Sequence, residues 1–454
     1  MRRRTLAFLT CMARFEPFLR RVAHVTGRLC LLLGLATPPA RAQAPPVRDL
    51  PFYQSQAQQN SPLAVDARNQ TQAAQLEAQR LLAFYTKAQL TVTGNYLVAP
   101  VLVHDGGRTE LRYSGAGADR YSGYDVNLTN GSLYQGVATL TKPLFNTARA
   151  TVAGQQALTS AQVLTNTSRL SLHDLDKLVG DQYILCRQDV QQLDYVRELL
   201  GILDRQRLLV RKLVEASLLK QSDYTLLTLE YQTQQLALNT YQTAYRRDLL
   251  DLNVLCGLGD TAQVLLPAPA LALQRPAPAR SLFAERFRLD SLNVAVTQQF
   301  YELRYRPQLN AFATGGFNAI ALADLPNRFG TSAGLSFSWV LFDGHQRQLS
   351  RDRTRVLLGT SQYARQNFQA VNQVRLTRLL DELRALEARQ TLARQQVATY
   401  RSLLDSYKRE VIAGQLPVIN YVQVLKNFAL TSRDLVLLEN NRLLLINAYN
   451  YWNW

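Results

Sequence analysis

The chain repeats itself at a fixed spacing of 197 residues. The segment Gly136-Val137-Ala138-Thr139-Leu140-Thr141-Lys142-Pro143-Leu144-Phe145-Asn146 aligns with Ala333-Gly334-Leu335-Ser336-Phe337-Ser338-Trp339-Val340-Leu341-Phe342-Asp343. The same spacing places Ala216 on Ala413, Tyr224 on Tyr421 and Asn253 on Asn450. A constant offset over so long a stretch predicts two structural copies with no net insertion between those points. Upstream, Gln89-Leu90 falls on Gln308-Leu309 at a spacing of 219, so the first copy is 22 residues longer there. The excess is expected in His104–Gly123, a glycine-bearing stretch that reads as a surface loop at a hairpin tip.

Each copy has one coarse order: helix, two strands, a very long helix and a shorter helix. In the first copy a helix is expected over 62–87, with Ser61 as N-cap and Pro62 at the first helical position. Strands follow, the second ending near Phe145, then helices over 147–212 and 220–256. The second copy gives a helix over 281–304, strands over 308–320 and 331–342, and helices over 344–412 and 418–450. The organisation is thus 43–266 for the first copy, a proline-rich connector over 267–280, and 281–454 for the second. At ~1.5 Å per residue the 147–212 helix is roughly 100 Å long, close to the two shorter helices of its copy laid end to end. In the last helix, Val422, Ala429, Val436 and Leu443 form one apolar column, and Tyr421, Phe428 and Leu435 another. Lys426, Arg433 and Asn440, with Asn427, Asp434 and Asn441, are expected on its polar arc.

No run of 18 or more apolar residues exists, so any membrane insertion must use strands. The strand patterns suit that. Leu90, Val92, Tyr96 and Val98 alternate with Thr91, Thr93 and Asn95. Leu335, Phe337, Trp339 and Leu341 share one face, and Gly334, Ser336 and Ser338 the other. Four strands are too few to close a channel, and an open edge in lipid leaves backbone groups unsatisfied. Three chains would supply twelve strands.

Residues 1–42 read as a secretory signal: basic residues, a short apolar run over Leu29–Leu35, and Ala40-Arg41-Ala42 as a small-x-small cleavage site. Cys30 follows Arg28-Leu29 and is not expected to carry a lipid. Without the eight arginines and one glutamate of that segment, the 51 basic and 34 acidic residues of the 454 fall to 43 and 33. The remaining +10 is spread along the chain, with no arm suited to nucleic acid. Cys186 lies about 30 residues before the first helix turn and Cys256 about 40 after it. The height difference is roughly 15 Å at the helical rise, which argues for two buried thiols rather than a bridge. The mature histidines, His104, His173 and His345, have no metal-ligand spacing, and no phosphate loop or nucleophile elbow is present. These absences argue against an enzyme and against a cofactor or bound metal.

The pattern resembles the TolC-like outer-membrane efflux protein family over about 59–454. Four segments carry the resemblance beside the repeat: Arg306-Pro307-Gln308-Leu309; Gly334 through Gly344; Leu252-Asn253-Val254-Leu255-Cys256-Gly257; and Tyr449-Asn450-Tyr451-Trp452. It implies a mostly α fold with membrane β: a homotrimer whose twelve-stranded outer-membrane barrel continues into a twelve-helix periplasmic tunnel. It also implies a periplasmic adaptor protein and an inner-membrane pump as partners. The tunnel's periplasmic end would fall at the two helix turns, with Ala216, Ser217, Ala413 and Gly414 as adaptor-contacting tips. The family often narrows this end with carboxylates. Asp223, beside Ser222, is the counterpart of one such position, and Asn420 and Gln423 stand where the second copy would carry acids. The frequent tyrosine and arginine clasp would fall at Val411 and Leu416 and is absent. Asp223 could equally serve as a helix-start cap. Rival readings are a type I protein-secretion or metal-efflux duct of the same fold, and a periplasmic coiled-coil adaptor. The adaptor reading leaves the four alternating strands unexplained.

Overall fold

A computed structural model describes residues 46–454 except 119, 126–127 and 275–280. The signal expected over 1–42 and part of the 267–280 connector lie outside the described residues. The chain divides into two compact units. The described part of the smaller one comprises residues 46–48 and Ala262–Pro267. A parallel bridge between Val47 and Leu265 holds it, with Arg48 N–H donating to Leu265 O and Leu265 N–H to Pro46 O, both at 3.0 Å.

The larger unit runs α1 (Leu50–Asn60), α2 (Pro62–Thr86), β1 (Gln89–Ala99), β2 (Val101–Asp105), β3 (Arg108–Arg112), β4 (Arg120–Ser122), β5 (Gly131–Leu144), α3 (Thr147–Glu215) and α4 (Gln221–Leu255). It continues with α5 (Leu282–Glu302), β6 (Gln308–Ala319), β7 (Phe329–Ser338), α6 (Gln346–Ile412) and α7 (Val418–Trp452). The long helices α3 and α6 have 69 and 67 residues. Each is therefore roughly 100 Å long. As the lengths suggested, α3 packs against α2 and α4, and α6 against α5 and α7; α3 also packs against α5 and α7.

Where the helices turn, Leu199, Leu203, Val210, Leu227, Leu404, Val411, Val418, Tyr421, Val422, Leu425 and Phe428 form one buried cluster drawn from α3, α4, α6 and α7. A polar seam runs between α3 and α7. Asn440 donates to Gln191 Oε1 at 2.6 Å, and Asn447 to Lys177 O at 3.0 Å and Asp181 Oδ1 at 2.8 Å. Asn440 was expected on the exposed arc and is instead buried. Its amide finds partners on a second helix, which a seven-residue count on one helix does not register.

Four further expectations change. Helix α1 precedes the expected start at Pro62; Asp49 caps it by accepting from Phe52 N–H at 3.0 Å, and its Tyr53 is fully buried. Ser61 stands at the start of α2, but its hydroxyl makes no cap bond; only its carbonyl accepts, from Val65 N–H at 3.0 Å. His104–Gly123 is not all loop. β2, β3 and β4 make a three-stranded sheet, ordered β3-β2-β4. Gly106 and Gly107, both at positive φ, turn β2 into β3 with Asp105 opposite Arg108, the two-residue turn whose twist suits a hairpin. Finally β7 stops at Ser338 rather than 342. Its last partner is Gln308, and Pro307 before it has no N–H to extend the ladder.

Candidate functional site

The four-stranded sheet is ordered β1-β5-β6-β7, antiparallel throughout. Its register sorts the side chains into two unlike faces. One carries Leu90, Val92, Tyr96 and Val98 from β1, and Tyr134, Ala138, Leu140 and Leu144 from β5. From β6 and β7 it carries Leu309, Ala311, Ala313, Phe317, Phe329, Ala333, Leu335 and Phe337. This face is uncovered: Val92 is 78% exposed, Leu335 65% and Phe337 67%. Apart from tyrosine, its one ionisable strand residue is Lys142.

The other face bears Thr91, Thr93, Asn95, Gln135, Thr139, Thr141, Asn310, Thr314, Asn318, Ser332, Ser336 and Ser338, with Leu97, Leu133, Val137 and Phe312 among them. It holds no ionisable strand residue. One rung places a hydroxyl on every strand, Thr91–Thr139–Thr314–Ser332, with Thr314 Oγ1 2.5 Å from Ser332 Oγ. β1 and β7 are the two edges, each with one neighbour in the sheet. No helix among the described residues is long and apolar enough to cross a membrane.

Aromatic pairs mark one end of the apolar face. Tyr96 stacks on Tyr134 with centroids 4.7 Å apart, and Phe317 meets Phe329 at 5.3 Å. Trp339 marks the other end and donates from Nε1 to Tyr305 O at 3.2 Å. Ten residues from Phe329 to Trp339 span ~34 Å along a strand. At a tilt of ~40° from an axis, that length projects to about 26 Å, comparable to the apolar band of transmembrane β-barrels. Beneath the sheet, Glu302 at the end of α5 accepts from Arg347 Nε at 2.7 Å and Arg351 Nε at 2.6 Å at the start of α6. The Arg351 hydrogen bond leads in holding the Glu302 carboxyl down to about 2.

The two helix turns are built alike. Ser217 at φ 59° and Gly414 at φ 69° occupy corresponding left-handed positions. Leu218 N–H donates to Leu213 O and Ser217 N–H to Val214 O; Gln415 N–H donates to Glu410 O and Gly414 N–H to Val411 O. These are paired Schellman closures. Ala216, Ser217, Ala413 and Gly414 are all exposed. Asp223 sits in the first turn of α4, where its carboxylate accepts from Lys220 N–H at 3.1 Å, so it does cap the helix. Ser222, Asn420 and Gln423 are exposed, and Gln423 donates to Asn427 Oδ1 at 3.3 Å. Asp223 and Ser222 begin α4, Asn420 and Gln423 begin α7, and the two helix starts share the buried cluster through Leu227, Val418 and Tyr421.

Two features escaped the sequence reading, one in the sheet and one in the helices. The hydroxyl rung was legible strand by strand as a period of two, but its alignment needed the register. Asp189 of α3 is buried without a partner for Oδ2. Burial, and then the Asp248 carboxyl of α4 beside it, push Asp189 up to about 7. Cys186 and Cys256 are free and buried.

The fold has known counterparts. This is a TolC-like fold. The outer membrane protein VceC of Vibrio cholerae superposes with a TM-score of 0.67 at 15% identity, over 88% of this chain and 96% of VceC. The CmeC outer membrane channel of Campylobacter jejuni gives 0.67 at 10% identity, over 88% of this chain and 85% of CmeC. The open state of the MtrE outer membrane channel of Neisseria gonorrhoeae gives 0.66 at 10% identity, over 89% and 88%. No family model matches the sequence, and no curated protein matches it.

Proposed function

We propose that this chain is one third of an outer-membrane duct. Three copies close a twelve-stranded barrel in the outer membrane, continued by a periplasmic helical tunnel. The duct passes small molecules received from a periplasmic adaptor and an inner-membrane pump. The organisation is an export signal over 1–42, two copies over 43–266 and 281–454, and the connector 267–280 between them. One observation carries the reading. A four-stranded sheet presents an uncovered apolar face, a hydroxyl- and amide-lined opposite face, and two open edges. In water that face is an aggregation hazard, and in lipid the open edges are untenable. Lipid covers the face, and pairing β7 of one copy with β1 of the next closes the edges. The structural likeness to outer-membrane channels supports the same reading.

The test is extraction of the expressed protein from outer membranes. A heat-modifiable trimer that conducts in planar bilayers is expected. A compact, water-soluble single chain refutes the reading.

Asp223, Ser222, Asn420 and Gln423 are the gate candidates at the periplasmic end. Three copies of Asp223 would ring that opening at equal height, the carboxylate serving both as helix cap and as the sole acid of the set. Asp223→Ala is expected to change cation block and ion selectivity. Unchanged conductance, selectivity and block would leave Asp223 with its capping role alone.

A further inference from the structure

A small groove of about 100 Å³ opens at the foot of the sheet, where β5 passes into α3 and the chain enters β6. Its lining includes Leu144, Phe145, Arg149, Arg306, Gln308 and Asn310, with Leu144 from the apolar face and Gln308 and Asn310 from the other, so the groove takes residues of both faces at the lower rim of the sheet. Arg149, in the lining, donates from Nη2 to Leu303 O at 2.8 Å, one of the five N–H donors of its guanidinium. Arg306 is exposed. Lys142 stands one same-face step above Leu144 on the apolar face. Among the described residues none of these three cations has a carboxylate within ion-pair distance, although much of the arginine elsewhere on the helices does.

The groove is partly apolar: Leu144, Leu303 and Leu309 line it, and so does Phe145, which is 90% exposed. Trp339, the first residue beyond β7, lies one same-face step past Phe337, which shares a rung with Leu309 and Leu144. The groove therefore sits at the level where the apolar face ends. Unpaired cations at that level, beside aromatic and aliphatic side chains, complement a group that is anionic at its head and hydrocarbon behind it. Guanidinium forks match phosphate oxygens in geometry and charge. The Lys142 stem can lie along the apolar face while its ammonium reaches toward the same level.

We propose that this groove binds the phosphodiester headgroup of an anionic phospholipid in the periplasmic leaflet, through Arg149 and Arg306 with Lys142 above. The proposal rests on the membrane reading. It adds a lipid ligand that fixes the height of the barrel and joins the strands to the start of α3.

Native mass spectrometry of the detergent-purified trimer tests it, with phosphatidylglycerol, phosphatidylethanolamine and inorganic phosphate as separate probes. The wild type is expected to retain phosphatidylglycerol over phosphatidylethanolamine. Arg306→Gln combined with Lys142→Gln should weaken that retention roughly tenfold, the loss expected for charge-assisted contacts. Arg149→Lys, which keeps a donor for Leu303 O, serves as the second variant and should weaken it less. Inorganic phosphate at millimolar concentration should not displace the lipid. Equal retention of both lipids, equal retention by the variants, or displacement by inorganic phosphate overturns the proposal. A trimer that conducts yet shows any of these outcomes loses only this inference; a chain that never enters a bilayer loses the membrane reading as well.

Discussion

The left-handed residues at the helix turns show how one backbone requirement can be met at unequal cost. Gly414 takes φ 69° without strain, and a Cβ there would meet nothing within 4 Å. Ser217 takes φ 59° with a side chain that disfavours it. Gly414→Ala should therefore cost about 1 kcal/mol, and Ser217→Gly should recover about as much, from backbone strain alone. Urea unfolding followed by circular dichroism measures both. Gly180 has a different reason to be glycine: an added Cβ would lie 2.7 Å from Asn447 Nδ2, inside the polar seam. Asp189 gives a pH signature at the same scale. Its folded pKa of about 7 lies above an unfolded value near ~4. The unfolded chain ionises first as pH rises through that window, so stability falls from about pH 4 to about pH 7. Asp189→Asn should flatten this slope in the urea midpoint and raise the midpoint above pH 7. A variant with the wild-type slope would contradict the assignment.

Among the elements, the strands make the sharpest contrast between neighbouring positions. Leu140 and Thr139 are adjacent in β5, on opposite faces and near mid-height of the sheet. Leu140→Arg places a charge on the apolar face and, on the proposed membrane reading, should cost roughly 2–4 kcal/mol, read as loss of membrane-inserted trimer. Thr139→Arg places it among the hydroxyls of the rung, where insertion should persist and the reversal potential in a salt gradient should move toward anions. Equal effects of the two would contradict the assignment of faces. The strands were legible in the sequence because a period of two needs only local spacing. Apart from α1, helix existence and approximate length were legible for a similar reason. The three-stranded tip sheet was not, although Asp105-Gly106-Gly107 carried a hairpin signal, because a length difference between copies draws attention to a loop rather than to pairing inside it. Asn440 was misplaced because burial depends on a partner helix.

For the molecule as a whole, the edges of the sheet govern. β1 and β7 each leave one side of the backbone unpaired. Cysteines substituted for Thr93 on β1 and, in turn, for Gly330, Ser332 or Ser336 on β7, which lie on the same face, should cross-link chain to chain in one or two of these combinations. The native thiols are buried and should not interfere. A ladder ending at three chains is expected with both edges substituted, and none with one edge alone. Cross-links confined within a chain would rule out edge-to-edge closure.

The sequence by itself determined the order of the longer helices and the main strands, the 197-residue spacing and the alternation of faces, since these follow from residue patterns along the chain. It also placed the tip turns, since Gly414 and its counterpart Ser217 fall at matching positions. Only the tertiary structure decided which strands are neighbours, that hydroxyls from four strands share a rung, that Asp223 closes a helix start, and that Asp189 is buried beside Asp248. Those facts depend on residues far apart in the chain being held together by packing, and no local spacing encodes the distance between them.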